Sequence, residues 1–168
     1  MEQKKKNHIL PFFTLLLLSP VLGELLSGSA PPAEFFQPAG LIILIALYGC
    51  GAAFIREVIR RWDKGWVSVL LLGMAYGIFE EGIVTRSFFD ARWMDLGLLA
   101  TYGRWLGVNW VRSAGLTVFH AVVSISIPII LVEMIYPKHK EALWLEKAGF
   151  VIIAAIFFWS PCWDRSLV

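Results

Sequence analysis

Hydrophobic residues in this chain fall into long runs broken by short polar interruptions, without the strict alternation of a half-buried strand. Five segments are long and apolar enough to cross a bilayer: residues 8–28, 39–61, 66–85, 111–136 and 143–160. A hydrocarbon core of roughly 30 Å asks for about 20 mainly apolar helical residues per crossing. Lipid offers the backbone no hydrogen-bond partner, so every crossing must be a helix. The pattern predicts an all-α, polytopic transmembrane helical bundle of about five spans, forming a single membrane-embedded domain over residues 1–168.

The interruptions are of three kinds. Residues 27–38 make a Pro-rich connection, residues 62–65 a tight turn and residues 137–142 a short polar one. Residues 86–110 differ, because Phe88, Phe89, Trp93, Trp105 and Trp110 are interleaved with charge and Gly. Such a segment is too apolar for a free loop and too broken to cross. It is expected to lie along the outer interface, partly helical over residues 96–106, with its Trp and Tyr at headgroup level or as a lid over the bundle.

Composition agrees with this class: 58% of the 168 residues are hydrophobic and only 17% charged. Where the charges fall predicts an orientation. Lys4, Lys5 and Lys6 precede the first segment, Arg60, Arg61 and Lys64 follow the second, and Lys138 and Lys140 follow the fourth, whereas residues 29–38 hold no Lys or Arg. The positive-inside rule then makes this a multi-pass cell-membrane protein with its N-terminus cytoplasmic and its C-terminus outside. A net charge of +2, placed mostly at membrane ends, gives no reason to expect nucleic acid, and the expected partner is the lipid bilayer. The first segment also has the make-up of a signal peptide, but Pro31, Pro32 and Glu24 argue for retention. Cys50 within a helix and Cys162 beyond the last segment are expected to remain thiols.

Against this apolar background stand two adjacent carboxylates, Glu80 and Glu81, at the end of the third segment. An intramembrane carboxylate faces a protein interior or wet cavity and marks a candidate functional site. Gly73, Gly77 and Glu81 recur every four residues, a smooth strip for close helix approach that ends in the carboxylate. Ser113, Thr117, His120 and Ser124 form a polar stripe on the fourth segment, with Thr117 and Ser124 expected chiefly as helix-to-helix contacts. Glu24 sits at a depth like that of the Glu pair and can extend the cluster. Arg86, a turn or two beyond, can compensate its charge. Arg56 and Glu57 are expected to snorkel or pair with each other, Glu133 to sit at the interface, and Pro128 to kink its helix.

A Glu-Glu pair on a transmembrane helix, an Arg shortly after it and a later helix bearing His resembles the CPBP superfamily of intramembrane proteases, which includes CAAX prenyl proteases and bacteriocin-processing enzymes. The resemblance spans residues 77–124. In that family three residues separate the Glu pair from the Arg, a Phe stands four before the first His, and a second His precedes Asn or Asp by four. Here four residues separate Glu81 from Arg86, Leu116 replaces the Phe, Ser124 follows His120, and a second transmembrane His is missing.

The resemblance implies a glutamate-activated water that attacks a peptide bond of a membrane-embedded substrate, with Glu80, Glu81 and His120 as catalytic residues. It implies no cofactor. The missing His argues against a metal-assisted version, since a catalytic zinc normally takes three protein ligands. The departures fit a divergent or inactive relative equally well. From the residues alone the expectation is an integral membrane protein of unknown activity. The alternatives are that divergent protease, a small proton- or cation-linked carrier acting as an oligomer, and a structural or assembly subunit.

Overall fold

The computed structural model describes residues 9–93 and 96–164, the side chains of residues 160–164 excepted. Lys4 to Lys6, His8, the C-terminal residues and the Cys162 side chain therefore lie outside the described residues.

The chain is an all-α helical membrane protein. Its helices are α1 (Ile9–Leu25), the one-turn α2 (Pro32–Phe35), α3 (Pro38–Arg61), α4 (Trp66–Val84), α5 (Trp110–Ile135) and α6 (Lys147–Trp159). Of the predicted spans, α3, α4 and α5 are long and apolar enough to cross a membrane, with 24, 19 and 26 residues. At 1.5 Å per residue these reach about 36, 28 and 39 Å. Over the described residues α1 and α6 are shorter apolar helices.

The starts and stops follow from local chemistry. Pro38 opens α3 at a position where its missing N–H costs nothing, and Arg60 and Arg61 fill the last turn, where positive charge complements the helix dipole. Asn109 caps α5 by accepting from the Arg112 amide at 3.0 Å. It is fully buried, and its side-chain amide donates to the Leu99 carbonyl.

Packing centres on α3. Its stretch of small residues, Gly49, Gly51, Ala52 and Ala53, lets three neighbours approach closely, as membrane helices must when no solvent drives them together. A Cβ on Gly49 would stand 2.3 Å from the Leu16 carbonyl oxygen of α1, so that crossing admits only glycine. Leu15 of α1, Ile125, Ile129 and Val132 of α5, and Ile153 and Phe157 of α6 complete the core.

Between α4 and α5 the segment over residues 86–110 departs from expectation. Among its described residues ahead of Trp110, Gly97–Ala100 forms a single 3-10 turn inside the stretch expected to be partly helical. Beyond it Arg104–Trp105 pairs antiparallel with Val108–Asn109, a hairpin the sequence did not signal. Its turn residues Leu106 and Gly107 both have positive φ, 50° and 80°, the signs that let a two-residue loop follow the twist of its strands. Buried Phe88 and Leu96 hold the segment down, while Leu98, Tyr102, Trp105 and Leu106 are left exposed.

The opposite end is clamped by ions. Arg56 and Glu57, each 1% exposed, pair at 2.8 Å, as one of the two sequence expectations had it. Arg56 also donates to the carbonyls of Lys140 and Ala142 and lies 3.7 Å from the Trp144 ring centroid. Glu133, expected near the inner interface, is buried and accepts two 2.8 Å bonds from Arg60.

Candidate functional site

Four helices converge at the hairpin end, and each changes its winding there. Turns of π-helix occur at Val21–Leu25 in α1, Ile45–Gly49 in α3, Glu80–Val84 in α4 and His120–Ser126 in α5. These four segments hold Glu24, Tyr48, the Glu pair, and His120 with Ser124 respectively. Such wide turns are rare and concentrate at functional sites, because they redirect side chains that an α-helix would send elsewhere.

Glu80, Glu81 and His120 meet. His120 Nε2 lies 2.9 Å from Glu80 Oε2 and 3.1 Å from Glu81 Oε1, with all three residues buried. By sequence the carboxylates stand about a turn further out than the imidazole. The gap closes because α4 and α5 are antiparallel and each Cα–Cβ bond leans toward its own helix N-terminus, so the side chains point at one another. The backbones are close as well. A Cβ on Gly77 would stand 3.0 Å from the His120 Cβ and 3.2 Å from the Thr117 Cα, and one on Gly73 would stand 2.8 Å from the Ala121 Cα.

The two carboxylates are held differently. Glu81 accepts from Ser87, from Thr85 at 3.3 Å, and makes the hydrogen bond with His120 Nε2. Glu80 Oε2 faces the same Nε2 without hydrogen-bond geometry and, among the described residues, has no hydrogen-bond partner despite its burial. Ser124 Oγ sits 3.0 Å from His120 Nδ1, so the other ring nitrogen is turned toward the acids. A proton on Nε2 suits two carboxylate neighbours, and the ring orientation requires nothing beyond this pair of contacts.

Glu24 joins the cluster through a hydrogen bond from the Tyr48 hydroxyl. The rings of Tyr48 and Tyr76 flank the imidazole at 5.9 and 5.8 Å between centroids. A cavity of about 470 Å³ opens beside the group, and its walls include Glu24, Tyr48, Glu80, Glu81, Arg112 and His120.

Other residues of the expected set are placed differently. Arg86 is exposed with a positive φ of 59°, and no ion pair to the Glu pair is seen among the described residues. The arginine beside the site is Arg112, on the cavity wall, with its Nε 3.5 Å from the Ser87 hydroxyl that serves Glu81. At the α4–α5 crossing the backbone of Thr117 stands against Gly77. Ser113 donates to the Asn109 carbonyl of its own helix start at 2.7 Å.

Three buried residues each offer a ligand atom here. One atom each from Glu80, Glu81 and His120 lies within 4.8 Å of the others. Three is the number of protein ligands a catalytic zinc normally takes.

A model of the family described as "Uncharacterized membrane protein family" matches residues 13–161. The chain belongs to this uncharacterized membrane protein family. The match takes in every site residue, from Glu24 to Ser124. The chain is also 28% identical over 140 residues to a protein of Archaeoglobus fulgidus described as an uncharacterized protein, an alignment covering 79% of this chain and 42% of that protein. The chain thus spans well under half the length of that relative. No solved structure matches it.

Proposed function

We propose that this membrane protein is a glutamate-dependent intramembrane hydrolase whose substrate is a peptide bond of a membrane-embedded protein or peptide. One observation carries the reading: a buried carboxylate oxygen of Glu80 without a hydrogen-bond partner among the described residues, 2.9 Å from His120 Nε2 and at the wall of a cavity of about 470 Å³. A general base must have a lone pair free for the proton it takes, and geometry comes before acidity in choosing it. Glu80 has that oxygen, whereas Glu81 is engaged by Ser87, Thr85 and His120 and serves to orient the imidazole.

In the reaction Glu80 takes a proton from water as the water oxygen bonds to the substrate carbonyl carbon. The negative charge that develops on the carbonyl oxygen is met by the Nε2–H of His120, which Glu81 holds at the cavity wall. When the C–N bond breaks, protonated Glu80 returns its proton to the leaving amine, and acid and amine products result. The resemblance to CPBP proteases supports a carboxylate of the Glu pair as base with His120 at the oxyanion. The longer spacing to Arg86 matters less here, since Arg112 is the arginine at the site.

The test uses purified protein in lipid nanodiscs and a fluorogenic peptide spanning the bilayer. The wild type is expected to cleave it, and Glu80→Gln is expected to lose about 10²–10⁴-fold in rate while keeping its thermal unfolding midpoint. If the wild type leaves the peptide intact yet carries a proton flux in sealed vesicles that Glu80→Gln abolishes, the cluster is a carrier's proton site and the hydrolase reading fails.

We also infer the orientation from the basic residues: the end of the bundle with Arg60, Arg61 and Lys64 faces the cytoplasm, and the catalytic cluster lies toward the outer face. Reporter fusions after Lys64, Tyr102 and Lys140 are expected to read inside, outside and inside. A cytoplasmic Tyr102 reporter overturns it.

A further inference from the structure

The end of the bundle away from the catalytic cluster has a cavity of its own. It measures about 200 Å³ and lies between the end of α3, the start of α4 and the far end of α5, with Arg56, Arg60, Lys64, Glu133, Lys140 and Glu141 among its walls. Four cations meet two carboxylates there, and the carboxylates are spoken for. Arg60 binds Glu133 through two 2.8 Å bonds and Glu141 at 2.7 Å, while Arg56 is neutralised by Glu57 and satisfied by backbone carbonyls. The surplus is Lys64, without an ion pair among the described residues, and Lys140, 3.9 Å from Glu141 and 55% exposed.

Gly65 and Trp66, where α4 begins, also line the cavity, and no side chain caps this 19-residue helix. Uncapped first-turn amides add partial positive charge at the same place. This wall is independent of the lysines and points to the same sign of ligand.

A second opening adjoins the first. A groove of about 430 Å³ shares Trp66, Glu133 and Lys140 with the cavity and adds Ile130, Met134 and Pro137. Ile130 and Met134 are exposed side chains on the lipid-length helix α5, a turn apart, so the groove's floor is hydrocarbon. Trp66 stands where the two meet, the position an indole takes at a membrane interface.

We propose that this end of the bundle binds an anionic phospholipid, with its phosphate headgroup in the cavity beside Lys64, Lys140 and the start of α4, and an acyl chain in the groove along Ile130 and Met134. The chemistry of the two openings selects the ligand. Surplus positive charge wants an anion, and an apolar groove continuous with it wants a hydrocarbon tail on that same anion. Basic pockets between membrane helices at the interface hold anionic headgroups in this way.

The experiment titrates detergent-purified full-length protein with dioctanoyl phosphatidylglycerol, dioctanoyl phosphatidylcholine and inorganic phosphate, following tryptophan fluorescence and the unfolding midpoint. Phosphatidylglycerol is expected to bind and raise the midpoint, with both other ligands at least about tenfold weaker. The double variant Lys64→Gln/Lys140→Gln is expected to bind phosphatidylglycerol about thirtyfold more weakly. Rising salt must weaken the wild-type complex, a readout that needs no variant to fold. Equal affinity for the two lipids, an unchanged double variant, or a salt-insensitive complex overturns the proposal. Inorganic phosphate that matches phosphatidylglycerol overturns the lipid assignment in favour of a soluble anion.

Discussion

The hydroxyl of Ser19 on α1 donates to the carbonyl of Ser124 on α5 across 2.7 Å, in a fully buried position. In a regular α-helix the amide of residue 128 would take that carbonyl; here the helix is wound as a π-turn, with the Ile127 amide on the Val122 carbonyl, and residue 128 is proline. Ser19 thus supplies from another helix the donor that Pro128 lacks, and does so on the residue whose side chain orients His120.

Ser19→Ala is expected to cost about 1–3 kcal/mol by leaving a buried carbonyl unsatisfied. Pro128→Ala restores an amide donor to α5, so the cost of Ser19→Ala should shrink when both changes are present. Thermal unfolding of the four proteins in detergent, treated as a double-mutant cycle, measures the coupling.

Gly73→Ala drives a methyl to 2.8 Å from the Ala121 Cα, which is backbone and cannot swing aside. A loss of about 1–3 kcal/mol is expected, with α4 and α5 forced apart and cleavage lost as His120 leaves the carboxylates. Gly115→Ala on α5 meets open space and serves as the control, stable to within about 1 kcal/mol.

Glu57→Ala removes the carboxylate paired with Arg56 where both are 1% exposed, and strips the Trp144 amide of its acceptor. The buried guanidinium would keep only its longer, 3.4 Å pairing with Glu133, which makes this costly, about 3–5 kcal/mol. Glu141→Ala removes a partner that is 69% exposed and should change stability by about 0.5 kcal/mol at most. Unfolding midpoints of the two variants decide between a buried clamp and a surface ornament.

Arg112→Gln is expected to lower the rate of peptide cleavage, since its guanidinium lines the cavity and contacts the Ser87 hydroxyl that holds Glu81. Arg86→Gln should leave the rate unchanged. Equal losses from both would restore Arg86 to the site despite its exposure.

The sequence carried the class of fold and the meeting of Glu80, Glu81 and His120, because apolar runs and buried charges are both expensive to leave unexplained in a membrane. It foresaw the Gly73 and Gly77 contact face, since small residues at steps of four have few other uses. Choosing Arg112 over Arg86 lay beyond it. That choice depends on how residues 86–110 fold back, and a hairpin turn at Leu106 and Gly107 has no hydrophobic period to announce it. The four π-turns left no signal in the spacing either. Periodicity over 3.6 residues averages a single widened turn away.

Helix α1 ends at Leu25, one residue past Glu24, while α5 runs on from Ser124 to Trp110 on the other side of the same cavity. Gly28 and Ser29, in the turn after α1, line that cavity together with Ile43 and Leu44 of α3 and Arg112, Leu116 and Phe119 of α5. A hydrolytic site on the cavity wall would take its water through this opening, with no pore through the bundle required.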